Sequence, residues 1–165
     1  MKKEILKLEV TYLDSEEELV PNDLILLQQA RQVARDAYAP YSKFRVGAAV
    51  RLANGQIIKG NNQENAAYPS GLCAERVALF YANANYPDQA VEAIAVTTQG
   101  NSKPIHEPIT PCGSCRQVMA EFEKKAGRPM KVIMQGEEGI IMIINGIQTL
   151  LPFSFLDDYL LKYNP

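Results

Sequence analysis

The 165 residues read as an α/β sandwich, with a mixed sheet of about five strands covered by helices and a further strand at the N-terminus. Three observations predict this class. Short runs alternate between apolar and polar residues, the segments between them repeat apolar residues at three- and four-residue steps, and Asn54-Gly55 joins two alternating runs as a hairpin turn. The length suits one compact domain spanning residues 1–165, and neither a repeat nor a low-complexity linker interrupts it.

The elements follow in chain order. Leu6, Leu8, Val10 and Tyr12 alternate with Lys7, Glu9 and Thr11, the period of an edge strand with one buried face. Asp14 to Glu18 is an acidic connector. Pro21-Asn22-Asp23 offers a helix start, and Leu26, Leu27, Ala30, Val33, Ala34 and Ala37 then keep helical spacing until the chain nears Pro40. Phe44 to Leu52 and Gln56 to Gly60 form the two arms of the Asn54-Gly55 hairpin. A loop from Asn61 to Gly71 leads to a helix from about Leu72 to Ala84, stopped by Tyr86-Pro87, and the β-branched run Val91 to Thr98 predicts an inner strand. Another helix follows Pro111. Lys131 to Gln135 and Ile140 to Ile144 predict two more strands, and Pro152 to Leu161 a short terminal helix.

Composition narrows the function. Hydrophobic residues make up 47% and charged residues 22%, as in globular proteins, and 17 basic against 19 acidic residues give a net charge of −2. Such a balance offers no excess positive charge to a nucleic-acid backbone. The longest apolar runs fall well short of the roughly 20 residues that span a bilayer, and the Met1-Lys-Lys-Glu start lacks a secretory apolar core, which predicts a cytoplasmic protein. Three cysteines without an export signal argue against disulfides and toward metal binding or nucleophilic chemistry.

All three cysteines fall at predicted helix starts, in Cys73-Ala74-Glu75-Arg76 and Pro111-Cys112-Gly113-Ser114-Cys115-Arg116. Cys112 and Cys115 are spaced to put two sulfurs on one face of a first helical turn, and Cys73 can supply a third thiolate to a tetrahedral zinc, leaving one position open. Helix N-termini favour thiolates. Arg76 is the nearest group able to donate to thiolate sulfur and draw negative charge off the metal, while Glu75 is poorly spaced as a ligand and suits proton transfer. Each piece also has a plainer reading. A Cys-x-x-Cys pair can be a redox pair or half of a structural zinc site, Glu75 an ordinary charge in a first turn, and His106 either a solvated loop residue or the fourth ligand that a closed site needs.

Together the two pieces resemble the signature of zinc-dependent nucleoside and base deaminases, with Cys73 where many members carry histidine. Pro40-Tyr-Ser-Lys-Phe-Arg-Val-Gly-Ala-Ala49, Asn62-Gln-Glu-Asn-Ala-Ala-Tyr-Pro69 and Leu150-Leu-Pro-Phe-Ser-Phe155 are also similar to segments of the small homotetrameric cytidine deaminases. The likeness covers residues 21–156 and leaves 1–20 as an N-terminal extension. It implies a three-layer α/β/α sandwich, one Zn²⁺ per subunit held by Cys73, Cys112 and Cys115, and hydrolytic deamination of cytidine and 2′-deoxycytidine in pyrimidine salvage. It further implies that Glu75 shuttles protons from water to ring N3 and then to the departing amine. Asn62 and Glu64 are expected on the ribose 3′-hydroxyl, Phe44 against the pyrimidine, and the Ala74 backbone on the base edge. Tyr68 and Phe155 are expected to reach a neighbouring subunit's pocket in a homotetramer. Their plain alternatives are loop polarity and packing aromatics. Two rival functions use the same residues: a deaminase of cytosine in single-stranded nucleic acid, and a non-catalytic zinc-stabilised module that needs His106.

Overall fold

The computed structural model describes residues 1–100, 103–156, 160 and 162. Its strands are β1 (Thr11–Leu13), β2 (Val46–Leu52), β3 (Ile57–Asn61), β4 (Val91–Thr98), β5 (Lys131–Gln135) and β6 (Ile141–Asn145). Its helices are α1 (Pro21–Ala34), α2 (Ala74–Asn85) and α3 (Gly113–Ala126). The strands make one sheet in the order β1-β6-β5-β4-β2-β3. β4 and β5 run parallel and the other neighbours antiparallel, so the chain must cross the sheet between β4 and β5, and α3 lies in that crossover.

Strand alternation sorts the core into two layers. Ala48, Val50 and Leu52 of β2, Ile94 and Val96 of β4, and Val132 and Met134 of β5 pack with Ala74, Ala78 and Leu79 of α2 and Cys115 and Met119 of α3. The alternate residues Ala49, Ala93, Ala95 and Ile133 meet Leu26, Leu27 and Ala30 of α1. One helix therefore covers one face and two helices the other, the three-layer sandwich expected. Six strands agree with five plus the N-terminal one. The layer holding α2 comes unusually close to the sheet: a Cβ on Gly60 of β3 would lie 2.5 Å from Ala78 N and 2.7 Å from Ala74 O. Glycine at that point lets the first turn of α2 press onto β3, which fixes where Cys73 sits.

Several boundaries differ from the sequence reading, each for a tertiary reason. The N-terminal strand is only Thr11–Leu13, and Leu6 and Leu8 are about half exposed at 49% and 53%. Thr11 pairs with Ile143, and the partner strand ends two residues later at Asn145, where Gly146 with φ +93° turns the chain away. Residues before Glu9 therefore have no ladder to join. Helix α1 stops at Ala34 because the Tyr38 backbone is taken by the opposite loop, its N–H donating to Asn62 O at 3.1 Å while its carbonyl accepts from Glu64 N. β2 starts at Val46 rather than Phe44, since the Asn62 side chain bonds the backbone on both sides of Arg45 in place of a ladder partner. The predicted terminal helix does not start at Pro152: residues 152–156 are non-helical, while Leu160 and Lys162 are helical. Its remaining residues lie outside the described ones. Among the described residues no helix is long and apolar enough to cross a membrane.

Candidate active site

Two helix starts converge to build the site. Leu72 exchanges both backbone hydrogen bonds with Gln63 at 2.9 Å, fixing the approach of the chain to Cys73. Cys73 then caps α2 and Cys112 caps α3, both with extended backbone, and Cys115 lies fully buried in α3's first turn. The Cys73 and Cys112 sulfurs are 3.8 Å apart, the Cys112 and Cys115 sulfurs 3.5 Å, and all three lie within 4.8 Å of one another. Thiolates each about 2.3 Å from a tetrahedral zinc would have sulfur–sulfur edges of about 3.8 Å, so the set fits that ion. Soft sulfur donors also select zinc over hard cations.

The electrostatics reinforce the same arrangement. A hydrogen bond from the Cys115 thiol, assisted by donation from Arg76 and Cys112, brings the Cys73 thiol down to about 5. Cys115, bonded to that anion and buried, is pushed well up. Arg76 donates Nη2 to the Cys73 sulfur at 3.5 Å, and this contact raises the guanidinium's own pKa. The Arg76 Nε is buried without a hydrogen-bond partner. Glu75 is 4% exposed, and burial first, with the Cys73 charge adding to it, holds its carboxyl above the ordinary range. A buried carboxyl of raised pKa beside the sulfur cluster is suited to taking up and giving back a proton.

A cavity of about 550 Å³ opens beside Cys73 and Arg76, lined also by Tyr41, Asn62, Glu64 and Tyr68. Glu64 accepts from the Tyr41 N–H at 2.9 Å, the Ser42 N–H at 3.2 Å and the Ser42 hydroxyl, and these bonds, the hydroxyl's above all, hold its carboxyl below the ordinary range. Asn62 accepts from Val46 N at 2.8 Å and donates to Phe44 O at 2.9 Å, so its amide also braces the start of β2. Tyr68 is 78% exposed at the cavity rim, edge-on to Tyr41 with ring centroids 6.3 Å apart.

Of the residues singled out in the sequence, the cavity and sulfur cluster gather Cys73, Cys112, Cys115, Arg76, Asn62, Glu64 and Tyr68, while Glu75 and Ala74 are buried in the same helical turn, outside the cavity lining, with the Glu75 carboxyl facing the Cys73 and Cys115 sulfurs. Phe44 is partly exposed and outside the cavity lining, and Phe155 is exposed with its backbone held by Gln117. His106 is exposed and faces Glu138 with Nδ1 3.4 Å from Oε1; the metal-binding group among the described residues contains the three cysteines and not His106. The sequence reading missed Tyr41, Ser42 and Leu72, which line the cavity. Their signal was weak, since a loop Tyr-Ser pair and an apolar residue before a helix have ordinary explanations.

Residues 21–128 match the profile of the cytidine and deoxycytidylate deaminase zinc-binding region, a span that contains all three cysteines and Glu75. The chain belongs to that deaminase family. A cytidine deaminase of Halalkalibacterium halodurans is 40% identical over 131 residues, covering 79% of this chain and 92% of its own. A cytidine deaminase of Sporosarcina psychrophila is 42% identical over 97 residues, covering 59% of this chain and 67% of its own. Among solved structures, cytidine deaminase from Burkholderia pseudomallei superposes with a TM-score of 0.69 at 38% identity, covering 79% of this chain and 97% of that one. The enzyme from Mycobacterium leprae gives 0.61 at 29% identity, covering 81% and 98%. Zinc is the metal of this deaminase region, and the three-sulfur set of this family member fits it.

Proposed function

We propose that the protein hydrolyses cytidine and 2′-deoxycytidine to uridine and 2′-deoxyuridine with release of ammonia. The observation that carries this reading is the buried Glu75 two residues from a three-sulfur cluster at the edge of a cavity large enough for a nucleoside. Cys73, Cys112 and Cys115 would hold the zinc, which when bound supplies the Lewis acidity that makes water nucleophilic near neutral pH.

The chain's own groups do the rest. Glu75 takes a proton from the attacking water, gives it to ring N3 and later carries a proton to the departing amine, so one water is consumed and one ammonia leaves. Its raised pKa suits a carboxyl that must act as base and then acid. Arg76 withdraws negative charge from the Cys73 sulfur, which offsets the excess charge of three thiolates. Asn62 and Glu64, both on the cavity wall, hold the ribose 3′-hydroxyl, and the Ala74 backbone in α2's first turn bonds the base edge; Phe44, exposed outside that wall, would have to turn inward to pack on the pyrimidine. The exposed aromatics Tyr68 and Phe155 support a shared pocket in a homotetramer, where each would enter a neighbour's site. Unpaired thiols suit the reducing cytoplasm, and a nucleoside enzyme there acts in pyrimidine salvage.

Incubating zinc-loaded protein separately with cytidine and with a cytosine-containing oligonucleotide, while following loss of the cytidine absorbance band and zinc per chain, tests the reading. Turnover of the nucleoside with one zinc per chain is expected. Turnover of the oligonucleotide alone, or full zinc occupancy without any turnover, would overturn it.

A further inference from the structure

Arg116 follows a cysteine of the cluster, yet its place in the first turn of α3 runs against local preference, because a cation there opposes the positive end of the helix dipole. Its bonds explain the choice. The backbone N–H of Arg116 donates to Cys112 O at 3.0 Å, and its Nε donates to Pro111 O at 2.7 Å, so one residue holds two successive carbonyls beside the exposed Cys112. The same guanidinium reaches Leu150 O at 3.0 Å through Nη1 and Thr110 Oγ1 at 3.3 Å through Nη2. Gln117, next in the chain, grips the Phe155 backbone from both sides, donating Nε2 to its carbonyl at 2.5 Å and accepting from its N–H at 3.3 Å. The segment from Leu150 to Leu156 has no regular structure beyond Leu150 and joins no ladder of the sheet.

We infer that Arg116 and Gln117 are positioning residues that latch the Leu150–Phe155 segment to the cysteine end of α3, so that metal occupancy and order of that segment are coupled. The inference rests on reading the cysteine trio as a zinc centre. Holding Pro111 and Cys112 in place lowers the cost of assembling the three sulfurs. Conversely, an α3 terminus fixed by metal presents the Arg116 fork and the Gln117 amide at the angles that the Leu150 and Phe155 backbones require. Coupling of this kind is reciprocal: whatever zinc does for the segment, the latch does for zinc. A fork is needed because three acceptors lie in different directions around one planar group, which a lysine point charge cannot serve.

The test uses the full chain, zinc-loaded and chelator-stripped, and reads amide hydrogen exchange across Leu150–Leu156 together with zinc release to a chromogenic chelator. Stripping zinc should speed exchange in that segment at least about tenfold, and the segment should exchange fully at times when β4 amides have not yet exchanged, which excludes global opening as its route. In loaded protein Arg116→Ala should speed the same amides and hasten zinc release about 10- to 100-fold, and Arg116→Lys should fail to restore either. In stripped protein Arg116→Ala should add little, since the latch is already loosened. Gln117→Ala should speed exchange at Phe155 and Leu156.

Two results would overturn the coupling: exchange in the segment that ignores zinc, or an Arg116→Ala acceleration equal in loaded and stripped protein, the mark of a merely structural contact. Should Arg116→Ala not fold, the loaded and stripped natural chains decide the matter alone. Failure of the natural protein to bind zinc at all would instead sink the underlying metal reading.

Discussion

The sulfurs of Cys73 and Cys112 stand 3.8 Å apart although 39 positions separate them in the chain, and each belongs to the residue that caps a helix. The sheet makes this possible, since α2 and α3 share one of its faces and begin at the same end. Two helix N-termini then lend partial positive charge to one thiolate cluster.

Removing the ion leaves these sulfurs without the charge that gathers them. A chelator should therefore free the Cys73 and Cys112 thiols for reaction, with the buried Cys115 reacting only once the chain is unfolded, where loaded protein shows fewer. With free zinc at about 1,000 times its dissociation constant the ion contributes about 4 kcal/mol, which for a chain of this size corresponds to a fall in Tm of roughly 8–16 °C on stripping. Thiol titration and a thermal scan measure both, and a melting temperature indifferent to chelation would count against a bound ion.

Glu75 carries the proton chemistry of the proposed reaction. Replacing it by glutamine preserves shape but abolishes proton transfer, so turnover should fall by at least about 10² to 10⁴ while zinc per chain stays unchanged. The structure adds a reason to expect retained metal, because Glu75 lies outside the sulfur trio. Unchanged turnover at full metal occupancy would end the assignment.

Much of this was readable in the residues themselves. β4 and β5 have the limits that their β-branched runs predict, because inner strands are decided by local pattern and burial together. The three cysteines were legible because few residue types bind soft metals and the Cys112–Cys115 spacing fixes a helical turn, whereas Glu75 is marked in the sequence only by standing two residues after Cys73. Strand β1 was overextended, since alternation at an edge says nothing about where the partner strand ends. Ser42 and Arg116, quoted only as members of their motifs, and Gln117 receive no role from the sequence, because their partners are groups brought near by the fold, and a hydroxyl, guanidinium or amide in sequence does not announce its distant partner.

Glu64 provides a pH signature independent of the metal. Its carboxyl is lowered by the Ser42 hydroxyl first and by the Tyr41 and Ser42 N–H groups after it. A depressed value in the folded protein means that the bonds ordering the Tyr41–Ser42 turn are fully formed above the usual carboxylate range and are lost only as pH falls through the lower folded value. An NMR titration of the Glu64 carboxyl should give a midpoint below that of an unperturbed glutamate, and Ser42→Ala should move it back up. A midpoint at or above the ordinary value in the intact protein would contradict the geometry.

Gly60 and Gly113 make a contrasting pair that tests how the sheet positions the metal site. A methyl added at Gly60 would meet Ala78 N at 2.5 Å and Ala74 O at 2.7 Å, backbone atoms with no room to swing aside, so α2 must lift from β3. Overpacking of this kind costs about 1–3 kcal/mol, and because Ala74 follows Cys73 the displacement should also weaken zinc binding. A methyl added at Gly113 meets nothing within 4 Å, and the residue sits in the first turn of α3 where alanine is favoured. Gly113→Ala should therefore be neutral or stabilising by up to about 1 kcal/mol, although it stands between two of the metal's cysteines. Denaturant unfolding of zinc-loaded protein with parallel zinc titration compares the two. Equal losses at both positions would mean that close helix–sheet contact is not what sets the Cys73 sulfur in place.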